Sequence, residues 1–336
     1  MEKTDMKLLM ISTDKKMFEK GSEVALRQIE YAKNFEELHI IVFAPRSFQE
    51  ISLGSNVWVY PTRSSIKFKY PLDAIRLGKF VIGGRGITDI TTEDSSLTAM
   101  TGVSLKKRFN IPLEINIHTD IGARYFASTF ENKIRKALSL SYIPKADKLR
   151  VVSDRIKSYL VDSLGIDPSR VTVRPIAVDV NKIKNAPITA DLHKKYPQFD
   201  KVVLMASRLE REKNIDLALH AWPEVLKKIP KAGLVIVGKG SEQGNLSQLV
   251  EKLGIKDSVI FESWANQATL ASYYKTADLF LNTSLYEGYG MTLVEAQAAD
   301  CKIVSTDVGV AKEAGAQIAD WSKDDVAAKI VYSLLV

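Results

Sequence analysis

Cysteine and histidine are scarce in this sequence, and long hydrophobic runs are missing. The one cysteine, Cys301, excludes an internal disulfide and fits a reducing compartment. No window approaches about 18 uninterrupted apolar residues, and the polar start lacks the layout of a signal peptide. These absences predict a cytoplasmic protein without a transmembrane helix. A metal site is not expected either, because none of the four histidines lies at ligand spacing with this cysteine: His39, His118, His193 and His220.

Acidic residues are almost missing from residues 63–85, which contain six cationic residues and a single acidic one, Asp73. The cations are Arg63, Lys67, Lys69, Arg76, Lys79 and Arg85, and large apolar side chains lie between them. A solvated helix face beside a core stripe explains this pattern. A surface that contacts a membrane or an acceptor phosphate explains it as well, because cations and aromatics suit anionic interfaces. The chain has a formal net charge of +7 but no recognised nucleic-acid motif, so no nucleic-acid partner is expected.

Short apolar runs alternate with amphipathic helical segments throughout the chain, which predicts an α/β fold. The first half has predicted strands at residues 7–11, 38–43, 57–60, 87–91, 113–117, 148–152 and 171–173, and helices at 22–35, 72–79, 95–109, 131–141 and 154–163. The second half has predicted strands at 202–206, 234–237, 259–261, 279–282 and 302–305, and helices at 215–228, 242–253, 270–275 and 291–299. Strands that are β-branched on both faces indicate buried, doubly wound parallel sheets.

The polar residues 179–200, with two prolines and few large apolar side chains, predict a connection between two domains. The predicted domains are residues 1–178 and 179–336, and each is long enough for its own core. Two such domains facing each other would gather the carboxyl ends of both sheets around one cleft, where sheets of this kind bind ligands. The apolar end of the chain, residues 330–336, predicts a last helix.

The most informative segment is residues 282–295, NTSLYEGYGMTLVE, which runs from a predicted strand through a glycine-bearing turn into a helix. Glu287 and Glu295 bracket the turn, and their carboxylates suit vicinal hydroxyls. Their separation has the scale of a sugar–diphosphate–ribose ligand. Free backbone amides and the helix dipole would favour an anion where the helix opens, at Gly290, Met291, Thr292 and Leu293.

A second segment, residues 206–214 (ASRLEREKN), follows the first predicted strand of the second domain. Arg208 and Lys213 would emerge at the carboxyl end of that strand. Two cations there can neutralise a diphosphate and stabilise it as a leaving group. This role matters because the sequence offers no metal site to perform it.

Together the two segments resemble glycosyltransferase family 4, a group of retaining enzymes with the GT-B fold. In that family an Arg and Lys pair in the first loop of the C-terminal domain precedes Glu-x7-Glu with an internal Gly-aromatic-Gly. This sequence matches both patterns, and the resemblance is densest over residues 201–315. Further matches are residues 237–240 (VGKG), Trp264 and residues 306–309 (TDVG). The resemblance implies two Rossmann-like domains facing across a cleft, the first for the acceptor and the second for the nucleotide-sugar donor. It also implies that the last helix, which includes residues 330–336, can pack back on the first domain.

The family implies a role for each matching residue. In the second domain the implied contacts are Arg208 and Lys213 with the diphosphate, together with the amides after Gly290, Glu287 with the donor sugar, Glu295 with the ribose, and the backbone near Ser263 and Trp264 with the base. In the first domain, His118 would lie near the donor sugar, across the cleft. Gly21 would lie near the donor phosphates, although the family commonly has a glycine pair there.

Each of these residues taken singly also fits a structural role. The glutamates and cations fit capping or solvated charges, His118 and Trp264 fit strand ends, and Gly21 fits an ordinary turn. Three alternatives remain for the whole protein: a nucleotide-sugar epimerase of the same fold, a sugar phosphorylase, and a non-catalytic binding domain.

The resemblance also implies a mechanism, which is retaining, metal-independent front-face displacement. The nucleotide sugar is a substrate, so no cofactor is expected, and a UDP-sugar is favoured over a GDP-sugar. The acceptor is expected to be a glycan, a lipid-linked glycan or a small molecule. Residues 63–85 favour peripheral contact with the inner face of the membrane.

Overall fold

A computed structural model describes residues 4–336, which form two compact units. One unit consists of the described residues up to Ile121 together with Ala127–Arg174. The other consists of Gly122–Phe126 and Pro175–Val336. The units thus divide near residue 174, and the sequence-based boundary after residue 178 lies just inside the second unit.

The first unit is an eight-stranded sheet in the order β3-β4-β2-β1-β5-β6-β7-β8. Its strands are β1 (Thr4–Ser12), β2 (Phe35–Val42), β3 (Ile51–Gly54), β4 (Val57–Pro61), β5 (Asp89–Thr92), β6 (Leu113–Ile117), β7 (Lys148–Val151) and β8 (Val171–Val173). Its helices are α1 (Glu23–Ala32), α2 (Tyr70–Arg85), α3 (Leu97–Phe109), α4 (Phe130–Tyr142) and α5 (Asp154–Ser158). All strand pairs are parallel except the pair of β3 and β4.

Two elements of this unit differ most from the sequence predictions, while several others are shifted by a few residues at their ends. Strand β3 was not predicted; it is a short edge strand that pairs antiparallel with β4, and its half-exposed residues lack a strong apolar signal. Helix α2 has 16 residues, against eight predicted, because it continues through a glycine pair and ends at Gly86, whose φ is +68°. Its inner face packs closely on α3, since a Cβ atom at Gly78 would lie 2.5 Å from Leu105 Cδ1.

The second unit has a six-stranded parallel sheet in the order β11-β10-β9-β12-β13-β14. Its strands are β9 (Lys201–Ala206), β10 (Ala232–Val237), β11 (Val259–Glu262), β12 (Leu279–Asn282), β13 (Ile303–Thr306) and β14 (Gln317–Ala319). Its helices are α6 (Val180–Asn185), α7 (Leu192–Lys195), α8 (Ile215–Lys228), α9 (Gln243–Lys252), α10 (Gln267–Thr276), α11 (Met291–Ala298) and α12 (Lys323–Leu335). The predicted connection therefore contains two short helices, whose first turns are capped by Asp179 and Asp191.

The last helix, α12, belongs to the core of the second unit. It packs on α8, and both helices contribute buried side chains to one cluster that includes Trp222 and Ile330. The sequence predicted a final helix able to pack on the first domain, and this contact with α8 was not anticipated.

Both sheets have a point where the connections leave in opposite directions. In the first unit the chain passes from β1 to β2 on one side and later returns to β5 on the other side of β1. In the second unit β9 has the same position between β10 and β12. Doubly wound sheets bind ligands at the carboxyl ends of the strands beside such a point. Both units have the doubly wound α/β architecture predicted from the sequence.

Candidate functional site

Two loops meet at the carboxyl ends of β9 and β12. The β9 loop (residues 207–214) leads into α8, and the β12 loop (residues 283–290) leads into α11. The Leu285 amide donates to the Glu212 carbonyl across 2.8 Å, and the Asn214 side chain donates to the Thr283 carbonyl across 3.2 Å. The two segments singled out in the sequence are therefore adjacent in space, at the switch point of the second sheet.

Lys213 and Glu287 form an ion pair between these loops. Lys213 Nζ lies 2.6 Å from Glu287 Oε1, and both side chains are mostly covered, with exposed fractions of 14% and 16%. The Ser284 hydroxyl is 2.9 Å from the same carboxylate oxygen and 2.7 Å from Asn282 Oδ1. The single hydroxyl proton of Ser284 is thus within reach of both the Asn282 amide oxygen and the Glu287 carboxylate, while Lys213 donates to the same carboxylate oxygen.

Arg208 lies on the exposed side of the β9 loop. Its guanidinium is 2.7 Å from Glu212 Oε1, and 68% of its side chain is exposed. Exposed pairs of this kind contribute little to stability. Its guanidinium can therefore leave Glu212 at little cost when an anionic ligand binds.

The turn before α11 requires a glycine at position 290. Gly290 has a φ of +93°, and a Cβ atom there would lie 2.8 Å from Leu293 Cδ1. The first amides of a helix have no partner within the helix, so the amides of Met291 and Thr292 are available to an anion. The Leu293 amide, which the sequence suggested as a further free donor, donates to the Gly290 carbonyl across 3.0 Å.

Two further glycines hold the neighbouring loops against this site. Gly309 has a φ of +50°, and a Cβ atom there would lie 2.2 Å from the Tyr289 carbonyl oxygen and 3.1 Å from Glu287 Cβ. A Cβ atom at Gly238 would lie 1.9 Å from the Ser207 carbonyl oxygen. The motifs that contain these glycines were recognisable in the sequence without a role for the glycines, and the close backbone contacts supply that role.

Glu295 lies in the second turn of α11, where it is partly buried. Burial raises the pKa of this carboxyl, and the hydrogen bond from the Tyr274 hydroxyl, 3.0 Å from Oε2, opposes the shift. Tyr274 was not among the residues predicted from the sequence, since its hydroxyl comes from another helix, α10.

The proposed base-binding residues lie on a short loop, residues 263–266, between β11 and α10. Ser263 is exposed, and 78% of Trp264 is exposed. At the start of this loop, the Tyr273 hydroxyl of α10 donates to Glu262 Oε2 across 2.8 Å at the end of β11. An exposed aromatic side chain in this position is suited to stacking against a planar ligand.

The first-unit candidates are His118 and Gly21. His118 follows β6 and is exposed at one side. The surrounding protein nevertheless desolvates the imidazole and lowers its pKa, and the positive charges of Arg150 and Arg27 lower it further. Gly21 precedes α1 with a φ of +85°, and its Cα faces open space. A carboxylate not anticipated from the sequence, Glu93, lies at the carboxyl end of β5 and accepts from the Ser12 hydroxyl across 3.1 Å.

Among residues 4–336, no group of three or more histidine, cysteine, aspartate or glutamate side chains is arranged to hold a metal ion. Within the same residues, no helix has the length and apolar character needed to cross a membrane.

Two family models match the chain, and together they span most of it. The family described as Glycosyltransferase Family 4 matches residues 30–182. The family described as Glycosyl transferases group 1 matches residues 190–318.

Curated relatives are similar over about two thirds of the chain. D-inositol 3-phosphate glycosyltransferase 2 of Catenulispora acidiphila is 28% identical over 238 residues, which cover 67% of this chain and 56% of that protein. Alpha-monoglucosyldiacylglycerol synthase of Streptococcus pneumoniae is 26% identical over 226 residues, covering 64% of this chain and 51% of that protein. The chain thus spans about half the length of the curated relatives that it matches.

Solved structures of low sequence identity share the fold. Sucrose-phosphate synthase from Thermosynechococcus elongatus superposes with a TM-score of 0.79 at 18% identity, covering 98% of this chain and 90% of that one. Anabaena HepE in complex with UDP-glucose superposes with a TM-score of 0.72 at 18% identity, with the same coverage of 98% and 90%. These likenesses confirm the predicted fold.

Proposed function

Because the chain belongs to glycosyltransferase family 4 and has the GT-B fold, we propose that it transfers a sugar from a nucleotide-diphosphate sugar to an acceptor hydroxyl. The observation that carries the proposal is the arrangement at the carboxyl ends of β9 and β12. Lys213, Glu287 and the start of α11 lie together there, so one site offers a cation, a carboxylate and helix amides. This combination suits a ligand with both a diphosphate and sugar hydroxyls.

The proposed donor is a UDP-sugar. Anabaena HepE, which shares the fold, was solved with UDP and with UDP-glucose, which supports the choice of UDP over GDP. In this proposal Glu295 accepts from the ribose hydroxyls, and the loop with Ser263 and Trp264 receives the base. His118 and Gly21 of the first unit keep the roles that the family resemblance implies.

The proposed reaction is a front-face displacement that retains the anomeric configuration. The bond between the anomeric carbon and the diphosphate oxygen breaks, and the acceptor oxygen bonds to that carbon on the same face. The acceptor proton passes to an oxygen of the departing diphosphate. Lys213, Arg208 and the amides at the start of α11 stabilise the charge that develops on this leaving group, and the protein needs no metal ion for that task in this scheme.

The proposed acceptor is a sugar or a lipid-linked glycan, reached by peripheral contact between residues 63–85 and the inner face of a membrane. The exposure of two aromatics supports this surface: 92% of Phe68 and 78% of Phe80 are exposed. Leu72, Arg76, Lys79 and Phe80 form one outer stripe of α2, while Ala74, Gly78, Val81 and Ile82 face inward. Apolar groups interleaved with cations suit an anionic bilayer surface. The Streptococcus pneumoniae relative is named for a glucosylated diacylglycerol, which fits an acceptor of this class.

Calorimetric titration with UDP, GDP, ADP and their common sugar derivatives tests the proposal. We expect saturable binding of one nucleotide series, unaffected by EDTA, followed by transfer of its sugar to an added glycan or glycolipid. Donor turnover without an acceptor would support the epimerase alternative, and phosphate-dependent turnover without nucleotide binding the phosphorylase. A chain that binds nucleotide sugars but turns over none of them would support a binding domain.

A further inference from the structure

We infer that the Lys213–Glu287 ion pair makes this site select nucleotides that still carry their sugar over the bare nucleoside diphosphate. The inference rests on the proposed function, because it assumes that the diphosphate binds beside Lys213. Its starting point is that the cation and the carboxylate of the site are already bonded to each other across 2.6 Å.

A bare diphosphate meets a site whose cation is already in use. Any phosphate oxygen within hydrogen-bond reach of Lys213 Nζ also comes close to the carboxylate of Glu287, since these two groups are in contact. Both side chains are mostly covered, so solvent screens this repulsion only in part. Binding of the bare diphosphate is therefore opposed by a like charge, and the Lys213 ammonium has to be shared between two anions.

A sugar on the diphosphate changes this balance. Its hydroxyls can donate to Glu287, which then exchanges the lysine for neutral donors while Lys213 turns to the phosphate. Each charged group keeps a partner, so neither is left covered and unpaired. The sugar thus offsets the repulsion between Glu287 and the phosphate, which opposes the binding of the bare diphosphate in full.

The surroundings of Glu287 prevent the carboxylate from moving away to relieve this repulsion. Ser284, which lies 2.9 Å from Glu287 Oε1, is itself held from three sides. Its carbonyl accepts from the Thr306 hydroxyl across 2.7 Å and from Trp321 Nε1 across 3.1 Å, and its hydroxyl lies 2.7 Å from Asn282 Oδ1. Gly309 lies close to the base of the same side chain, where a Cβ atom would lie 3.1 Å from Glu287 Cβ.

Loss of the sugar then favours release of the nucleotide. Once the sugar has been transferred, the remaining diphosphate no longer offers donors to Glu287, and the carboxylate regains Lys213. The ion pair therefore distinguishes donor from product through a single contact. Without the ion pair, the affinities of the site for the nucleotide product and for the nucleotide-sugar donor would be more nearly equal.

The test is a comparison of the wild-type chain with Glu287→Gln, titrated by calorimetry with UDP, UDP-glucose and inorganic pyrophosphate. The substitution keeps the shape of the side chain and removes its charge. We expect UDP and pyrophosphate to bind about fivefold more tightly to the variant, a typical scale for one partly covered charge pair. We expect UDP-glucose to gain less, so the preference for the sugar-bearing nucleotide falls. Equal or weaker binding of UDP and pyrophosphate by a folded variant would overturn the inference.

Two further variants make the result specific. Glu224→Gln removes the same charge from an exposed pair with Lys227 on α8, and it should leave all three affinities unchanged. Ser284→Ala frees Glu287 to move, so UDP should bind more tightly by a smaller factor than in Glu287→Gln; no gain would contradict the fixed position of the carboxylate. If the wild-type chain binds none of the nucleotides, the proposed function fails. The pyrophosphate titration then still decides whether Glu287 opposes a diphosphate at Lys213.

Discussion

The hydroxyl of Tyr274 donates to Glu295 Oε2 across 3.0 Å, and this bond connects α10 to the helix that opens at the candidate phosphate site. Tyr274 is almost fully buried, and burial together with the Glu295 carboxylate raises the pKa of its hydroxyl well above the ordinary value. Glu295 therefore has a structural partner in addition to its proposed ribose contact.

The double role of Glu295 predicts different results for two substitutions. Glu295→Ala leaves a buried hydroxyl without its acceptor, which should lower the free energy of unfolding by about 1–3 kcal/mol as well as abolish nucleotide binding. Glu295→Gln keeps an acceptor oxygen for Tyr274, so stability should be retained while nucleotide binding weakens. Urea unfolding and calorimetry separate the two effects. Wild-type nucleotide affinity in Glu295→Gln would remove this residue from the proposed ribose site.

Lys213→Ala should lower kcat for sugar transfer by about 10²–10³, the scale seen when one charge-stabilising group is removed from a transition state. The fold should persist at reduced stability: Lys213 lies outside the hydrophobic clusters of the described residues, but its loss leaves the mostly covered Glu287 carboxylate without its cation. Steady-state kinetics with the identified donor measure the effect. Lys227→Ala, an exposed lysine on α8, serves as the matched control and should retain wild-type turnover. Full turnover by Lys213→Ala would exclude it from stabilising the leaving group.

Gly309→Ala should weaken nucleotide-sugar binding, because the new Cβ would lie 2.2 Å from the Tyr289 carbonyl and push the β12 loop away. The φ of +50° adds strain that can reach about 1–2 kcal/mol. Gly244→Ala is the control: it is an exposed position in α9 where a Cβ meets nothing within 4 Å. That control should stabilise the chain by up to about 1 kcal/mol. Unchanged binding in Gly309→Ala would show that the β12 loop tolerates the shift.

Glu93 predicts a specific pH dependence of stability. Burial raises the pKa of its carboxyl, against the opposing effects of the Ser12 hydrogen bond and of Arg27 and Arg150. The folded chain then holds this proton more tightly than the unfolded chain does. The contribution of the group to stability is complete below the ordinary carboxyl pKa of about 4.3 and is lost as the pH rises through the raised value.

Glu93→Gln cannot titrate and keeps an acceptor for Ser12. The stability of this variant relative to wild type should therefore increase as the pH rises from about 4 to about 7. Urea unfolding at several pH values within this range measures the difference. A difference that stays constant with pH would contradict a raised carboxyl pKa at position 93.

The outer stripe of α2, together with the exposed Phe68 that precedes the helix, predicts binding to anionic vesicles. The chain should sediment with vesicles containing phosphatidylglycerol but not with phosphatidylcholine alone, and added salt should weaken the binding, since each cation near such a surface contributes about 1 kcal/mol. A double substitution of Phe68 and Phe80 to Ser should reduce vesicle binding below that of the wild-type chain at the same salt concentration. Leu26→Ser removes an exposed apolar side chain from α1, where Glu23 and Glu30 flank it, and should have no effect. Equal sedimentation of all variants would leave this surface as a solvated helix face.

Much of the fold could be predicted because its signals are local. Helix α8 begins and ends where the apolar periodicity predicted, and strand β12 has its predicted bounds, since its apolar residues are buried on both faces. The β9 and β12 loops could be located because each follows a recognisable strand and leads into a helix. Strand β3 was missed because its own apolar pattern is weak and half-exposed, although it forms a hairpin with β4 through a turn of only two residues.

The sequence by itself determined the two doubly wound sheets, the family resemblance and the residues of the donor loops, because strand and helix periodicity and motif spacing are properties of neighbouring residues. Only the tertiary structure decided how those residues are paired. It joined Lys213 to Glu287 across 74 positions and Glu295 to Tyr274 across 21, and it left Arg208 exposed. The physical reason is that hydrogen bonds, burial and carboxyl pKa values depend on which side chains the packed sheets and helices bring within a few ångströms, whatever their separation along the chain.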